Sequence, residues 1–279
     1  MNYLLPITML AMLFSYNKAA AQPTSTSKAA NPVVAEASKE RKLVWSDEFD
    51  KDGLPDPAKW GYEVGGKGWG NNELQHYTKS RPENARVENG NLIIEARKEP
   101  YEGNAYTSAR LLTKNTATWT YGRFDIRAKI PAGRGTWPAI WMLGANISSA
   151  GWPLCGEIDI MEHVGYDQGV VHGTIHSAAY NHNKGTQKGK QVPMPTASTD
   201  FHVYSVDWTS ERMDFLVDGN VYHTLSKAEL GSTTAEWPFV QPFFLILNLA
   251  VGGNWGGKEG VDETIWPRRM EVDYVRVYQ

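Results

Sequence analysis

The stretch Tyr121-Gly122-Arg123-Phe124-Asp125-Ile126-Arg127-Ala128-Lys129-Ile130 decides the fold class. From Phe124 it alternates, with Phe124, Ile126, Ala128 and Ile130 on one face and Asp125, Arg127 and Lys129 on the other. A period of two belongs to a strand with one face in a core and one toward solvent. Outward from it, short stretches of the same kind recur at Leu92 to Ala96, Gly156 to Glu162, Val170 to His176 and Phe201 to Trp208, divided by Gly, Pro and Asn. Met213 to Leu225 reads as a hairpin whose two β-rich runs meet at Asp218-Gly219, the dipeptide a type I′ turn favours. Phe243-Phe244-Leu245-Ile246-Leu247-Asn248-Leu249 is apolar on both faces and predicts a strand covered on both sides. Only Ser226 to Gly231 suggests a short helix, and Asn181 to Pro195 reads as a loop. No break in composition and no repeat divides residues 43 to 279. The expectation is an all-β chain, one antiparallel two-sheet sandwich of the jelly-roll kind.

Composition narrows the partners. Lys and Arg total 28 against 31 Asp plus Glu, and the formal charge of -3 provides no broad basic field for a nucleic-acid backbone. The 11 Trp, 13 Tyr and 26 Gly favour strands, tight turns and flat stacking surfaces. The apolar run from Met1 to Phe14 is too short to span a bilayer and is followed by Ala19-Ala20-Ala21-Gln22. Residues 1–21 therefore read as a secretory signal peptide cut after Ala21, although no Lys or Arg precedes the apolar run. Residues 22–40, rich in Ser, Thr, Ala and Pro, read as a disordered linker, and residues 41–279 as one folded domain. No cysteine stands near the cleavage point to carry a lipid, and the single Cys155 can form no intrachain disulfide. A secreted or periplasmic monomer, free of the membrane after cleavage, is the expectation.

Chemistry concentrates in Gly156-Glu157-Ile158-Asp159-Ile160-Met161-Glu162-His163-Val164-Gly165. Glu157 and Asp159 share a strand face, whereas Glu162, five positions from Glu157, would point away. A β-bulge at Ile160 or Met161 returns Glu162 to the face of the other two. Three converging carboxyls resist full ionisation, so one holds a proton near neutral pH while another stays charged. Glycosidic bond cleavage needs that division, and two glutamates on one strand face suit the close, retaining spacing better than the inverting one. Upstream, Trp137 and Trp141 share a face and suggest stacking platforms for sugar rings, with burial in the core as the alternative. Downstream, His172 and His176 share a face and could in principle join the acids around a metal. No His-rich spacing of a known metal kind supports that, and polar alternation beside a cleft explains the pair equally well.

Glu157-Ile158-Asp159-Ile160-Met161-Glu162 resembles the Glu-x-Asp-x-x-Glu signature of glycoside hydrolase family sixteen in its bulged form. The resemblance extends through Trp45 to Asp50, Asn71 to Tyr77, Ser108 to Leu111, Tyr121 to Phe124, Trp137 to Leu143 and Gly252 to Trp255. In Trp152 to Gly165 it is nearest to bacterial laminarinases, which are endo-β-1,3-glucanases. It implies a concanavalin-like jelly roll with an open cleft on its concave sheet and a retaining double displacement on β-1,3-glucan. Glu157 would be the nucleophile, Glu162 the general acid and base, and Asp159 the residue bonded to the nucleophile. The same resemblance makes His176 a contact near the cleavage point and Asn71, Arg110, Trp137, Trp141 and Trp255 glucan contacts, a structural ion pair being the alternative for Arg110. It implies no cofactor for catalysis. It also implies a structural calcium (Ca2+) on the convex face, held by the Asp273 carboxylate and by carbonyls of Glu48 and Gly90.

Other readings stay open. Mixed-linkage β-1,3-1,4-glucan is a second candidate substrate. Agarases and carrageenases share the bulged signature, but sulfated galactans favour a basic cleft and Lys and Arg do not gather around these motifs. A lectin-like glucan-binding module is the non-enzyme reading, and it has no use for three clustered acids.

Overall fold

The alternation at Phe124 is realised in the strand Gly122–Lys129, where Phe124, Ile126, Ala128 and then Ile130 are buried and the residues between them half-buried. The computed structural model describes residues 41–279, and the signal-peptide and linker expectations lie outside the described residues. Two sheets face each other. The back sheet has ten strands and includes Gly122–Lys129 between His202–Trp208 and Arg268–Tyr278. The front sheet has seven, in the order Lys188–Pro193, Val170–His176, Glu157–Glu162, Thr136–Gly144, Phe243–Val251, Arg110–Leu112 and Gly61–Tyr62. Pairing is antiparallel except where Gln75–Tyr77 runs parallel to Asn104–Ser108. This is the two-sheet sandwich the pattern predicts.

The core fills the space between the sheets. Phe243–Val251 is buried at all nine positions, as a strand apolar on both faces should be. Trp208 meets Phe243 edge-on at 5.2 Å and Phe124 at 6.5 Å, linking the two sheets. Each such ring fully removed from water contributes about 2 kcal/mol, and together they hold the front sheet in place. The hairpin forms from Arg212–Val217 and Asn220–Ser226, and Asp218 and Gly219 both take positive φ, 50° and 77°, as a type I′ turn requires. The helix after it is one turn, Lys227–Leu230.

One loop expectation is corrected. Within Asn181 to Pro195 the segment Lys188–Pro193 is a strand, paired residue by residue with Val170–His176. It is a sheet edge with Lys188, Gly189, Lys190 and Gln191 largely toward solvent, so it carries no apolar stripe to read. Edge lysines also discourage pairing with a further chain.

Candidate active site

The acid strand Glu157–Glu162 lies in the middle of the front sheet, and its bulge is present. Against Thr136–Gly144 the register runs Asp159 to Trp141 and then Met161 to Ile140, leaving Ile160 as the extra residue. On the other side Asp159 faces Thr174 and Glu162 faces His172. Ile158, Ile160 and Met161 all enter the core, so two consecutive side chains point inward and Glu162 returns to the outer face. Glu157, Asp159 and Glu162 together line a cleft of about 450 Å³ on that face.

Each glutamate receives one indole N–H. Trp152 Nε1 donates to Glu157 Oε2 at 2.7 Å, and Trp137 Nε1 donates to Glu162 Oε1 at 3.0 Å. Asp159, 2% exposed, stands between them, and its Oδ2 lies 3.4 Å from His176 Nε2. Glu157 Oε1 is 3.9 Å from the same nitrogen. Burial pushes the Glu157 carboxyl up to about 8, and the Asp159 charge pushes in the same direction. Burial lifts Asp159 well above its ordinary range, with the Glu162 charge adding to it. Glu162 is lifted by burial and then by Glu157, while His176 and the Trp137 N–H pull it down. Three raised carboxyls in contact favour one negative charge among them near neutral pH. Of the two glutamates, Glu157 accepts the shorter indole bond.

The aromatic and polar residues expected at the cleft reach it unevenly. Trp137 and Trp141 both face outward and line it, as do Asn71 and Arg110. Trp141 Nε1 donates to Asn248 Oδ1 at 2.7 Å. The Arg110 guanidinium sits between the rings of Trp69 and Trp141, 4.9 and 4.7 Å from their centroids, and pairs with Glu63 at 2.7 Å. Arg110 is thus both an ion-pair partner and a cleft wall. His176 is buried beside Glu157 and Asp159 beneath the cleft, and Trp255 stands behind Trp137, edge to face at 5.5 Å. His172 lies against Trp255 at 5.0 Å. Among the described residues only Glu157, Asp159 and His176 gather within 4.8 Å of one another, so the five-residue metal set raised by the sequence is not assembled.

Sequence reasoning assigned no role to several residues of the wall. Glu73 is buried at the cleft and accepts hydrogen bonds from Gln75 at 2.6 Å, Asn71 at 3.2 Å and Tyr77 at 3.3 Å. Burial raises its carboxyl above the ordinary value. Trp69, Trp152, His182 and Asn248 also line the cleft. Trp152 belonged to a quoted motif, but nothing in its spacing marks it as a donor to Glu157.

The residues expected around a calcium lie on the back sheet or at its edge. Asp273 is the extra residue of a bulge opposite Ala128 and Arg127, flanked on its own strand by Val272, opposite Leu92, and by Val275, opposite Asp47. Glu48 lies one residue beyond the Asp47 pair and Gly90 two residues before Leu92. The donor set fits in part: Arg127 Nη1 already pairs with the Asp273 carboxylate at 2.5 Å, and the Glu48 carboxylate faces Arg276 instead.

The fold and this row of carboxyls are those of a glycoside hydrolase. The family model for glycosyl hydrolases family 16 matches residues 72–276, and the chain belongs to that family. It is 60% identical over 243 residues to a β-glucanase of Rhodothermus marinus, covering 85% of each chain. The X-ray structure of the laminarinase from Rhodothermus marinus superposes with a TM-score of 0.84 at 59% identity, over 86% of this chain and 97% of that one. A non-specific endo-β-1,3(4)-glucanase of the family superposes with a TM-score of 0.81 at 51% identity, over 86% and 91%.

Proposed function

We propose that the protein is a retaining endo-β-1,3-glucanase acting on laminarin-type glucan. The observation that carries the reading is the bulged strand, which puts three neighbouring carboxyls on one cleft face with an indole donor on each glutamate. Glu157 attacks the anomeric carbon while Glu162 gives its proton to the leaving oxygen. Formation of the glycosyl-enzyme removes the Glu157 charge, the carboxyl of Glu162 becomes more acidic, and Glu162 takes a proton from the incoming water. Asp159 donates to Glu157 and orients it. The identity to the β-glucanase and laminarinase supports the substrate. The likeness to a non-specific β-1,3(4)-glucanase favours mixed-linkage glucan as a second substrate.

Arg110 is the only Lys or Arg among the residues lining the cleft, against four carboxyls, and it is paired with Glu63. That balance disfavours a sulfated galactan. The test is a reducing-sugar assay on laminarin, lichenan, agarose and carrageenan in parallel, with proton NMR of the first product. Cleavage of laminarin with retention is expected. Cleavage of a galactan alone would overturn the substrate, and an inverted product the mechanism. A glucan-binding module without activity would bind laminarin unchanged after Glu157→Gln and release nothing before it.

The reading includes export of a monomer, supported by the apolar run and Ala19-Ala20-Ala21. Amino-terminal sequencing of protein from the culture medium and periplasm should begin at Gln22; a start at Met1 would sink it. It also includes a structural calcium at Asp273 with the carbonyls of Glu48 and Gly90, supported by their register. Calcium would have to displace or share the carboxylate with Arg127. Melting should rise with millimolar calcium and fall with a chelator, and an unchanged melt removes the ion from the account.

A further inference from the structure

The indole that holds Glu157 packs on the small core cluster with Leu143, Cys155 and Phe244 and is also held by a ring from outside its own loop. Trp152 follows the one-turn helix Ile147–Ala150, in the connection between the strand Thr136–Gly144 and the acid strand, and no strand pairing fixes its backbone. Its ring lies nearly parallel to the imidazole of His182, with centroids 4.9 Å apart and planes at 29°. His176 completes the group, 5.2 Å from His182 and 6.0 Å from Trp152.

His182 is exposed, yet its segment is tied down. Asn181, 2% exposed, donates to the carbonyls of Ser177 and Ala178 at 3.0 and 3.3 Å. Lys184 Nζ reaches the carbonyl of Ala178 at 2.6 Å, and Thr186 Oγ1 that of Ala179 at 2.9 Å. A surface imidazole held this firmly over an indole restricts how the indole turns. The indole N–H in turn selects one orientation of the Glu157 carboxylate and favours its charge.

We propose that His182 is a positioning residue for the nucleophile, acting through the face of Trp152. The inference rests on the double displacement argued above and adds a residue from outside the acid strand. The chain of contact runs from the loop after Val170–His176, through a ring stack, to one hydrogen bond on Glu157. The groups facing Glu157 are Asp159 and Glu162 on its own strand, His176 on the neighbouring one, the buried Cys155 thiol just before it, and the Trp152 N–H.

The test compares His182→Ala, His182→Phe and Trp152→Phe in the full chain on laminarin, with kcat, KM and the pH profile measured for each. His182→Ala is expected to lower kcat about fivefold with little change in KM, the scale of one lost aromatic stack. His182→Phe keeps a ring over the indole and is expected to restore kcat to within about twofold of wild type. Trp152→Phe removes the N–H, and kcat is expected to fall about thirtyfold while the acid limb moves up by about one pH unit. His182→Ala should move that limb the same way by less. An unchanged acid limb and kcat in His182→Ala would overturn the proposal, as would equal impairment of the Ala and Phe variants. If wild-type protein cuts no glucan, the functional reading fails by itself. The positioning claim is then read from the carboxyl titration of Glu157 by carbon-13 NMR, where an identical midpoint in His182→Ala and wild type overturns it.

Discussion

Glu157 and Glu162 stand on one strand and each accepts one indole hydrogen bond, but the two indoles are anchored differently. Trp137, the donor to Glu162, belongs to the paired strand Thr136–Gly144, with Trp255 edge-on behind it. Trp152, the donor to Glu157, comes from a connection, packs against the small core cluster with Leu143, Cys155 and Phe244, and stacks on a ring thirty residues further along the chain. The bond lengths differ too, 2.7 Å for Glu157 and 3.0 Å for Glu162. A carboxylate gains more than a carboxylic acid from a short donor. The strand thus gives two like residues unlike surroundings.

The largest break in this comparison comes from removing the carboxyls themselves. Glu157→Ala and Glu162→Ala should each lower kcat on laminarin by roughly 10,000-fold or more. With an activated aryl glucoside, azide should rescue them to opposite stereochemistry. Azide in the space left by Glu157 gives the inverted α-azide, whereas azide attacking the glycosyl-enzyme of Glu162→Ala gives the retained β-azide. The β-azide from Glu157→Ala and the α-azide from Glu162→Ala would mean that the two roles are exchanged.

Deleting Met161 keeps both glutamates but removes the bulge. Alternation then still places all three acids outward, with Glu162 one residue nearer Glu157. The core loses one large buried side chain, because Ile160 and Met161 both point inward. We expect a stability loss of about 3 kcal/mol and an activity loss of roughly 100-fold. Denaturant melts separate the two effects. A folded deletion variant with full activity would show that the extra residue serves packing and not the spacing of the acids.

A finer probe acts on one side alone. Trp137→Phe leaves the ring in the cleft but removes the N–H that pulls the Glu162 pKa down. The Glu162 carboxyl should then hold its proton to higher pH, so the basic limb of kcat/KM moves up by about half a unit. The acid limb, set by Glu157, should stay in place. Movement of both limbs would mean that the cluster titrates as one unit and that neither indole addresses one glutamate alone.

Much of this was open to sequence reasoning where a residue sits on a regular strand. Phe124 to Ile130, Trp137 with Trp141, and Glu157 with Asp159 follow from a period of two, and one bulge brings Glu162 to them. The contacts that tune the acids were not readable in that way. Trp152 meets His182 across two connections, and their meeting depends on how two loops fold over the sheet end. Glu73 lies in a quoted motif, yet only the folded chain surrounds it with Gln75, Tyr77 and Asn71. Lys188–Pro193 escaped because an edge strand gains its stability from backbone bonds and shows no apolar face.

The smallest effect bears on stability, and it asks whether the shared charge costs the fold anything. The Glu157 carboxyl is raised from 4.5 to about 8 in the folded protein, chiefly by burial. Such a group favours the folded state while protonated. Its contribution is complete below the unfolded value near 4.5, and it is lost as pH rises toward 8 and the buried charge is forced on the cluster. Glu157→Gln keeps the shape and removes that charge. Its melting temperature should therefore match wild type near pH 4 and exceed it at pH 8. Glu162→Gln should show a smaller rise, because the neighbouring charge that lifts it resides on Glu157. A Glu157→Gln protein no more stable than wild type at pH 8 would mean that the Trp152 N–H and Asp159 compensate the buried carboxylate in full. In that case the charge at Glu157 is solvated by fixed protein dipoles rather than stored as strain.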